Sequence, residues 1–485
     1  MQPRRLLIVV LLAAGALGVT VARATPIAAT APAASHPLVP GIFDPFAAVP
    51  PSPAEVAEMK KEGVDVFRLT VNWSEVAPKK LPKRFTPTNP DDTHYRWPVV
   101  DKEIKAVVAD GFQPIVDIIG APTWASAGPA KEDASGHVVA GPDTPDAAAL
   151  GQFALAIAKR YSGTHDGLVR VRYWQVFNEP NYEPELSPQY VNGVPASPGI
   201  YRRLVNAAAA SIHSVHSDNL VIAGALTPFT YVQNGIPISI GPLEFMRDLL
   251  CMSGGAHPHP TCKSSVSFDV WAHHPYTSGG PTHKAALAND VSLGNLSEMK
   301  TLLDAAAKAR HIVSRKPPQF WVTEFSWDSS PPDPKGVPLK LLESWVPQAM
   351  YQMWRNGVSV VAWFSLNDFP LSSSSYQSGL YFNDGTPKPY LEGFRFPVVA
   401  FRTSKGFKVW GRTPGGKAGT VTVEQRTSGA WRTVGTLATD TYGIFQHTYA
   451  GARTGTVRAV LNGEDSLPFP LAPVPDKTLH DPFGS

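Results

Sequence analysis

Two glutamates in this sequence come at the end of runs of residues that are typical of buried strands. Glu179 follows the aromatic and β-branched run 173–178, and Pro180 directly after it cannot continue a central strand. Glu324 follows a similar run at 319–323. Two carboxyl groups at strand tips can cleave a glycosidic bond, because a protonated one assists the leaving group while an ionised one attacks the anomeric carbon.

The elements that would position these groups repeat along most of the chain. Strand-like runs at 41–44, 64–71, 113–119, 173–178, 220–224, 268–272, 319–323 and 359–364 alternate with helical stretches. The first helix has Ser52 at its N-cap, Pro53 at its first position and Glu55 at its third. The alternation predicts an α/β fold, a (β/α)8 (TIM) barrel over residues 36–397, although periodicity alone also allows an open sheet.

In such a barrel, active sites are built at the carboxyl ends of the strands. Strands four and seven lie on different sides of the barrel, so we expect Glu179 and Glu324 to face each other across its mouth. The long Gly/Pro-rich loops 125–143 and 181–198 follow strand ends. These loops are predicted to shape the outer part of a binding site.

The composition changes after Pro397. Short β-like segments separated by Gly, Ser and Asp turns predict a small β-sandwich over residues 398–472, followed by an extended tail at 473–485. We expect this C-terminal module to brace the barrel, although sugar binding is an alternative role for it.

The N-terminus carries a targeting pattern. Arg4 and Arg5 precede an apolar run at 6–21, and Ala-Arg-Ala at 22–24 matches a small-x-small cleavage site. We predict a signal peptide over residues 1–24, a flexible leader over 25–35, and a protein that is secreted or lies outside the cell envelope. An uncleaved membrane anchor is the alternative, but the run is short and contains two glycines.

The chain has two cysteines, Cys251 and Cys262. In an exported protein such a pair usually forms a disulfide, and we predict one here. The formal net charge of the 485 residues is +3, which gives no argument for binding nucleic acid or an anionic membrane.

The sequence around the two glutamates resembles a known group of enzymes. Asn178-Glu179-Pro180 on strand four and Glu324 on strand seven are similar to the clan of retaining glycoside hydrolases with (β/α)8 barrels, which includes families 5 and 39. The resemblance covers residues 41–397. It implies that Glu179 is the acid/base, that Glu324 is the nucleophile, that the substrate is a β-linked oligo- or polysaccharide, and that neither a cofactor nor a metal is needed.

The resemblance also implies roles for residues on other strands. Arg68 on strand two would pair with the nucleophile, and Asn178 would contact the sugar 2-hydroxyl. In the strand-six motif His274-Pro275-Tyr276, Tyr276 would lie against the nucleophile and His274 in the sugar site. Strand alternation sends the adjacent His273 to the opposite face.

Tryptophans supply the remaining predicted sugar contacts. Trp363 on strand eight matches the residue that forms the floor of the sugar subsite in that clan, and the Trp363–Phe364 bond is a candidate for a non-proline cis peptide bond. Trp124 and Trp327 come just after strand ends and are predicted to line subsites, with ordinary packing as the alternative for each.

Two other kinds of protein remain as alternatives. A non-catalytic carbohydrate-binding or cell-wall protein could use the same barrel. A metal-dependent hydrolase could use four histidines as ligands, namely His257, His259, His273 and His274. Because Pro258 separates the first pair and no acidic residue is nearby, a loop is the favoured interpretation there.

Overall fold

A computed structural model describes residues 35–45, 51–126 and 144–476, together with the backbone of short strands at 28–29, 131–132 and 138–140. The predicted signal peptide, most of the predicted leader and most of loop 125–143 lie outside the described residues. Ala28–Ala29, within that leader, forms a strand that pairs with the C-terminal module. No helix in the described ranges is long and apolar enough to cross a membrane.

Eight parallel strands close into a barrel in chain order, so the predicted barrel is confirmed and the open sheet is wrong. The strands are β1 (Val39–Phe43), β2 (Val66–Asn72), β3 (Gln113–Ile119), β4 (Tyr173–Val176), β5 (Leu220–Leu226), β6 (Val270–His273), β7 (Gln319–Phe325) and β8 (Val358–Phe364).

A helix follows each strand and returns the chain to the amino end of the barrel. These helices are α1 (Pro53–Lys61), α2 (Pro98–Ala109), α3 (Ala147–Arg160), α4 (Ser197–Val215), α5 (Pro242–Leu250), α6 (Leu296–Lys308), α7 (Leu339–Arg355) and α8 (Leu391–Arg395). The capping box predicted at Ser52 and Glu55 is present at the start of α1.

Side chains alternate between two apolar layers. One layer fills the barrel interior and is formed by Val66, Ile115, Ile222, Ala225, Val270, Ala272, Trp321 and Val360. The other lies between the strands and the helices and continues into the C-terminal module. Because successive strand residues point to opposite layers, a shift of one position moves a side chain from the interior to the helix layer.

Small elements decorate the loops at both ends of the barrel. They are the helix Trp73–Val76, the 3-10 turns Thr123–Ala125, Leu293–Asn295 and Pro414–Gly416, and the strand pairs Lys131–Glu132/Val138–Ala140, Tyr190–Val191/Val194–Pro195, Val232–Gln233/Ile236–Pro237, Val266–Ser267/Ile312–Val313 and Ser329–Ser330/Val337–Pro338.

The C-terminal module consists of two β-sheets, as predicted for a sandwich. Its strands are β9 (Val398–Arg402), β10 (Gly406–Arg412), β11 (Thr420–Arg426), β12 (Arg432–Ala438), β13 (Ile444–Ala450), β14 (Thr456–Leu461), β15 (Glu464–Asp465) and β16 (Phe469–Pro470). Trp410 packs against Tyr351 and Trp354 of α7, with ring centroids 5.2 Å apart in each case. The module therefore shares an aromatic core with the barrel.

The predicted disulfide is confirmed, since Cys251 and Cys262 are bonded. Cys251 directly follows α5 and has a φ of 53°, a left-handed conformation that ends the helix. Since α5 runs from the carboxyl end of the barrel back to its amino end, the disulfide loop lies at the end opposite the mouth.

Candidate active site

Glu179 and Glu324 meet at the mouth of the barrel. Glu179 lies three residues after the end of β4, and Glu324 is the penultimate residue of β7. One carboxylate oxygen of each and a ring nitrogen of His274 all lie within 4.8 Å of one another. Carboxyl groups this close leave no room for a water molecule between them and the sugar, as inversion requires, and fit the roughly 5–5.5 Å of a double displacement.

The backbone that carries Glu179 has an unusual conformation. Phe177 has a φ of 64° and Glu179 a φ of 39°, a region that non-glycine residues rarely adopt. The Glu179 N–H donates to the carbonyl of Ala225 on β5 at 3.0 Å. Buried Tyr201 of α4 donates its hydroxyl to the Val176 carbonyl at 2.6 Å and accepts from the Gly224 N–H at 3.1 Å. These bonds tie the end of β4 to β5 and hold Glu179 in its strained position.

Glu324 is held by two donors. Arg68 Nη1 lies 2.9 Å from its Oε2, and the hydroxyl of Tyr276 donates to its Oε1 at 2.9 Å. The pKa of Tyr276 is raised well above its usual value by burial and by Glu324, so its hydroxyl keeps the proton that it donates. A cation and a neutral donor on one carboxylate favour its ionised form.

Arg68 is 1% exposed and binds four groups in the floor of the site. Besides Glu324, it donates to the Thr323 carbonyl at 3.2 Å, to Asp117 Oδ2 at 2.7 Å and to Asn178 Oδ1 at 2.6 Å. The predicted residues Arg68 and Asn178 thus lie together. Asp117, which supplies the second carboxylate to Arg68, was missed from the sequence, although a lone acid in the apolar strand 113–119 is a recognisable signal.

His274 lies between the two glutamates, as its Pro-Tyr context predicts. Its Nδ1 is 2.9 Å from Glu179 Oε1 and 3.9 Å from Glu324 Oε2, and its Nε2 is 3.1 Å from the Thr323 hydroxyl. Burial lowers the pKa of His274 to about 3, so the ring is neutral at physiological pH. His273 points the other way, with its Nε2 2.8 Å from the Val291 carbonyl.

The environments of the two glutamates differ in the sense that acid/base chemistry needs. Burial raises the pKa of Glu179 to about 7, an effect that the positive charge of Arg68 only partly offsets. Glu324, in contrast, contacts that guanidinium directly. One carboxyl group is thus suited to hold a proton and the other to remain ionised.

Trp363 does not line the site. It is 1% exposed, its Nε1 donates to the Ser378 carbonyl at 2.8 Å, and its ring packs against Tyr390 and Phe394 in the helix layer. The prediction for Trp363 therefore needs correction, because the register of β8 sends the next residue to the mouth.

Phe364 is that next residue. Its ring packs 5.8 Å from Phe43, which lies under the Arg68 guanidinium, and 6.0 Å from Tyr376, whose ring lies 6.4 Å from that of Tyr276. A non-proline cis peptide bond joins Phe364 to Ser365, so the cis bond predicted at Trp363–Phe364 was placed one residue too early.

The other two predicted tryptophans are packed into the walls. Trp327 is 4% exposed, donates to the Gly279 carbonyl at 3.0 Å and packs against Trp345. Half-buried Trp124 donates to the Pro78 carbonyl at 2.7 Å. Its ring meets Trp73 and Phe85 edge to face. For Trp327 the packing alternative is correct, because burial leaves no ring face open to a sugar.

The four histidines of the metal-dependent alternative are not brought together. His273 and His274 are buried at the end of β6. His257 and His259 are exposed in the disulfide loop at the opposite end of the barrel. The predicted interpretation of the second pair as part of a loop is therefore the correct one.

No protein-family model matches the sequence, and no curated protein matches it. Solved structures do match. A family 39 glycoside hydrolase from Bacteroides cellulosilyticus WH2 has a TM-score of 0.51 and 14% identity, over 85% of this chain and 81% of that one. The family 39 enzyme from Xanthomonas axonopodis pv. citri has a TM-score of 0.49 and 16% identity, over 83% and 84%. At such identities the likeness is one of fold, and this chain shares the architecture of the Bacteroides family 39 glycoside hydrolase.

Proposed function

We propose that this protein is a retaining glycoside hydrolase that cleaves β-linked oligo- or polysaccharides. The observation that carries the proposal is the pair formed by Glu179 and Glu324, whose oxygens lie within 4.8 Å across the barrel mouth in opposite electrostatic environments. The fold shared with a family 39 glycoside hydrolase supports the same conclusion.

The proposed reaction has two displacements. Glu324 Oε2 or Oε1 attacks the anomeric carbon while Glu179 gives its proton to the departing oxygen, and a glycosyl-enzyme ester forms on Glu324. A water molecule then loses a proton to Glu179 and attacks the same carbon, which releases the sugar and regenerates the carboxylate. Two inversions leave the product with the β configuration of the substrate.

The hydrogen bonds of His274 leave one oxygen of Glu179 free for this proton. A neutral imidazole carries one N–H, and with that proton on Nδ1 the ring donates to Glu179 Oε1 and accepts from the Thr323 hydroxyl at Nε2. Glu179 Oε2 then holds the exchangeable proton. This assignment uses every donor and acceptor of the ring.

The first experiment is a hydrolysis screen over β-linked oligosaccharides and aryl glycosides, with the first-formed anomer read by proton NMR. We expect β product from a β-linked substrate. Glu324→Ala should lose nearly all turnover, whereas Glu179→Ala should keep its first step on a dinitrophenyl glycoside, whose leaving group needs no proton. Glu244→Gln, which removes a carboxylate on α5, is the control.

Release of the α anomer would contradict the retaining mechanism, and full activity of Glu324→Ala would contradict the nucleophile. A wild-type protein that binds β-linked sugars without releasing product over long incubation would favour the alternative of a non-catalytic carbohydrate-binding protein.

We also propose that the protein is exported. The basic and apolar N-terminal pattern, with its small-x-small site at 22–24, supports this. The disulfide between Cys251 and Cys262 fits an oxidising compartment. Mass spectrometry of the protein from the culture medium of its source should find an N-terminus at Thr25, and an uncleaved chain would contradict the prediction.

A further inference from the structure

A third carboxyl group, that of Glu185, lies beside the two glutamates of the site. The loop after β4 turns back on itself, because the Tyr182 N–H donates to the Glu179 carbonyl at 2.9 Å and the Glu185 N–H donates to the Tyr182 carbonyl at 3.1 Å. Asn181 anchors this turn through Nδ2, which donates to the carbonyls of Thr227 and Ile240 at 3.1 and 2.9 Å. The turn therefore holds Glu185 over Glu179.

The side chain of Glu185 joins the hydrogen-bond network of the site. It accepts a hydrogen bond from the side chain of Asn178. Since Asn178 Oδ1 already accepts from Arg68 Nη2 at 2.6 Å, the group that faces Glu185 is the Asn178 amide nitrogen. A continuous chain of polar contacts thus runs from Glu324 through Arg68 and Asn178 to Glu185.

The charged groups around Glu185 are mostly negative. The carboxyl groups of Glu179 and Asp117 both repel its charge, and Arg68, behind Asn178, attracts it. The same electrostatics reach the phenol of Tyr182, which feels both Glu179 and Glu185. Burial, followed by the repulsion from Glu179, raises the pKa of Glu185 to about 7. Glu179 and Glu185 therefore titrate as a coupled pair.

We propose that Glu185 is a positioning residue for the proton of Glu179: anchored by Asn178, its negative charge disfavours ionisation of Glu179 and keeps the acid protonated. The inference rests on the proposed function for its consequence in catalysis, but not for the interaction itself. Because the two carboxyl groups interact, removing the charge of one lowers the pKa of the other.

The test is a carbon-13 NMR titration of glutamate-labelled protein, with the Glu179 signal assigned from Glu179→Gln. In Glu185→Gln we expect the Glu179 titration to move about one pH unit lower than in the wild type. Glu185→Asp, which keeps the charge, should restore most of that shift. Glu244→Gln removes a carboxylate that accepts from Asn289 at 3.3 Å, away from this network, and should leave the titration unchanged.

The kinetic readout is the basic limb of kcat/KM, which should move by the same amount in Glu185→Gln and cost about tenfold in activity above the limb. An unchanged Glu179 titration in folded Glu185→Gln would overturn the proposal. Because the titration needs no turnover, it is decisive even if the wild type hydrolyses no glycoside, a result that would instead overturn the proposed function. If Glu185→Gln does not fold, Glu185→Asp and Asn178→Ala provide the titration, and a wild-type Glu179 signal in Asn178→Ala would equally overturn the anchoring role.

Discussion

Arg68 contacts Glu324 from inside the barrel, with Nη1 2.9 Å from Oε2. The guanidinium is also bound to Asp117 at 2.7 Å and is fully buried, so it cannot turn away from either carboxylate. The polar floor of the site is thus continuous with the apolar interior of the barrel. This arrangement positions the carboxylate of Glu324 before any sugar arrives, which lowers the reorganisation that catalysis requires.

Removing Arg68 should destabilise the protein as well as inactivate it. Arg68→Met leaves Asp117 buried without its cation, and we expect a loss of about 3–5 kcal/mol in the free energy of unfolding. The double variant Arg68→Met/Asp117→Asn should recover part of that loss but none of the activity. Urea unfolding measures the first effect and aryl glycoside hydrolysis the second. Equal stabilities of the single and double variants would show that Asp117 does not depend on Arg68.

Glu179 should make the stability of the protein depend on pH. Its pKa rises from 4.5 to about 7 on folding, so the folded state holds a proton that the unfolded chain loses within this window. This contribution is fully present below pH 4.5 and is lost as the pH rises through 7. The stability of Glu179→Gln relative to wild type should therefore grow across the window, by up to about 3 kcal/mol. Urea unfolding of both proteins at several pH values measures it, and parallel curves would contradict it.

The two aromatic residues at the end of β8 should behave differently. Trp363→Phe loses a buried hydrogen bond to the Ser378 carbonyl, so we expect a loss of about 1–3 kcal/mol in stability and little change in kcat/KM. Phe364→Ala should lower kcat/KM by about tenfold or more, equivalent to about 1.4 kcal/mol of lost contact with the sugar. Steady-state kinetics and thermal unfolding of both variants distinguish the two positions. The reverse pattern would restore Trp363 as the sugar contact.

The disulfide should contribute to stability without affecting catalysis. Replacing Cys251 and Cys262 by serine opens a loop whose ends are 11 positions apart, which should cost about 2–4 kcal/mol. Because this loop lies at the amino end of the barrel, we expect kcat/KM to remain unchanged. Unfolding and kinetics on oxidised wild type and the double variant test both parts, and a large fall in kcat/KM would show coupling through α5.

Sequence reasoning located the barrel and the two glutamates because both depend on local patterns. Apolar runs that end in Asn-Glu-Pro or Thr-Glu-Phe, with helix caps between them, specify strand ends wherever they occur. The position of Arg68 within the run 64–71 likewise follows from the strand pattern. The predicted disulfide needed only the count of cysteines and the expectation of export.

The errors arose where one position of register decides which way a side chain points. Trp363 and Phe364 are adjacent, and the sequence alone does not specify which of them faces the mouth. Asp117 and Glu185 were missed for a related reason. Their significance depends on contacts with Arg68 and Asn178, and those contacts form only when the barrel closes.

The sequence by itself determined that two carboxyl groups end neighbouring layers of the same barrel, because strand and helix periodicity are properties of short segments. Only the tertiary structure decided their separation of under 4.8 Å between oxygens, the burial that raises the pKa of Glu179, and the network from Glu324 to Glu185. Distance and burial are set by strands far apart in the chain, since the interactions that fix them act through space.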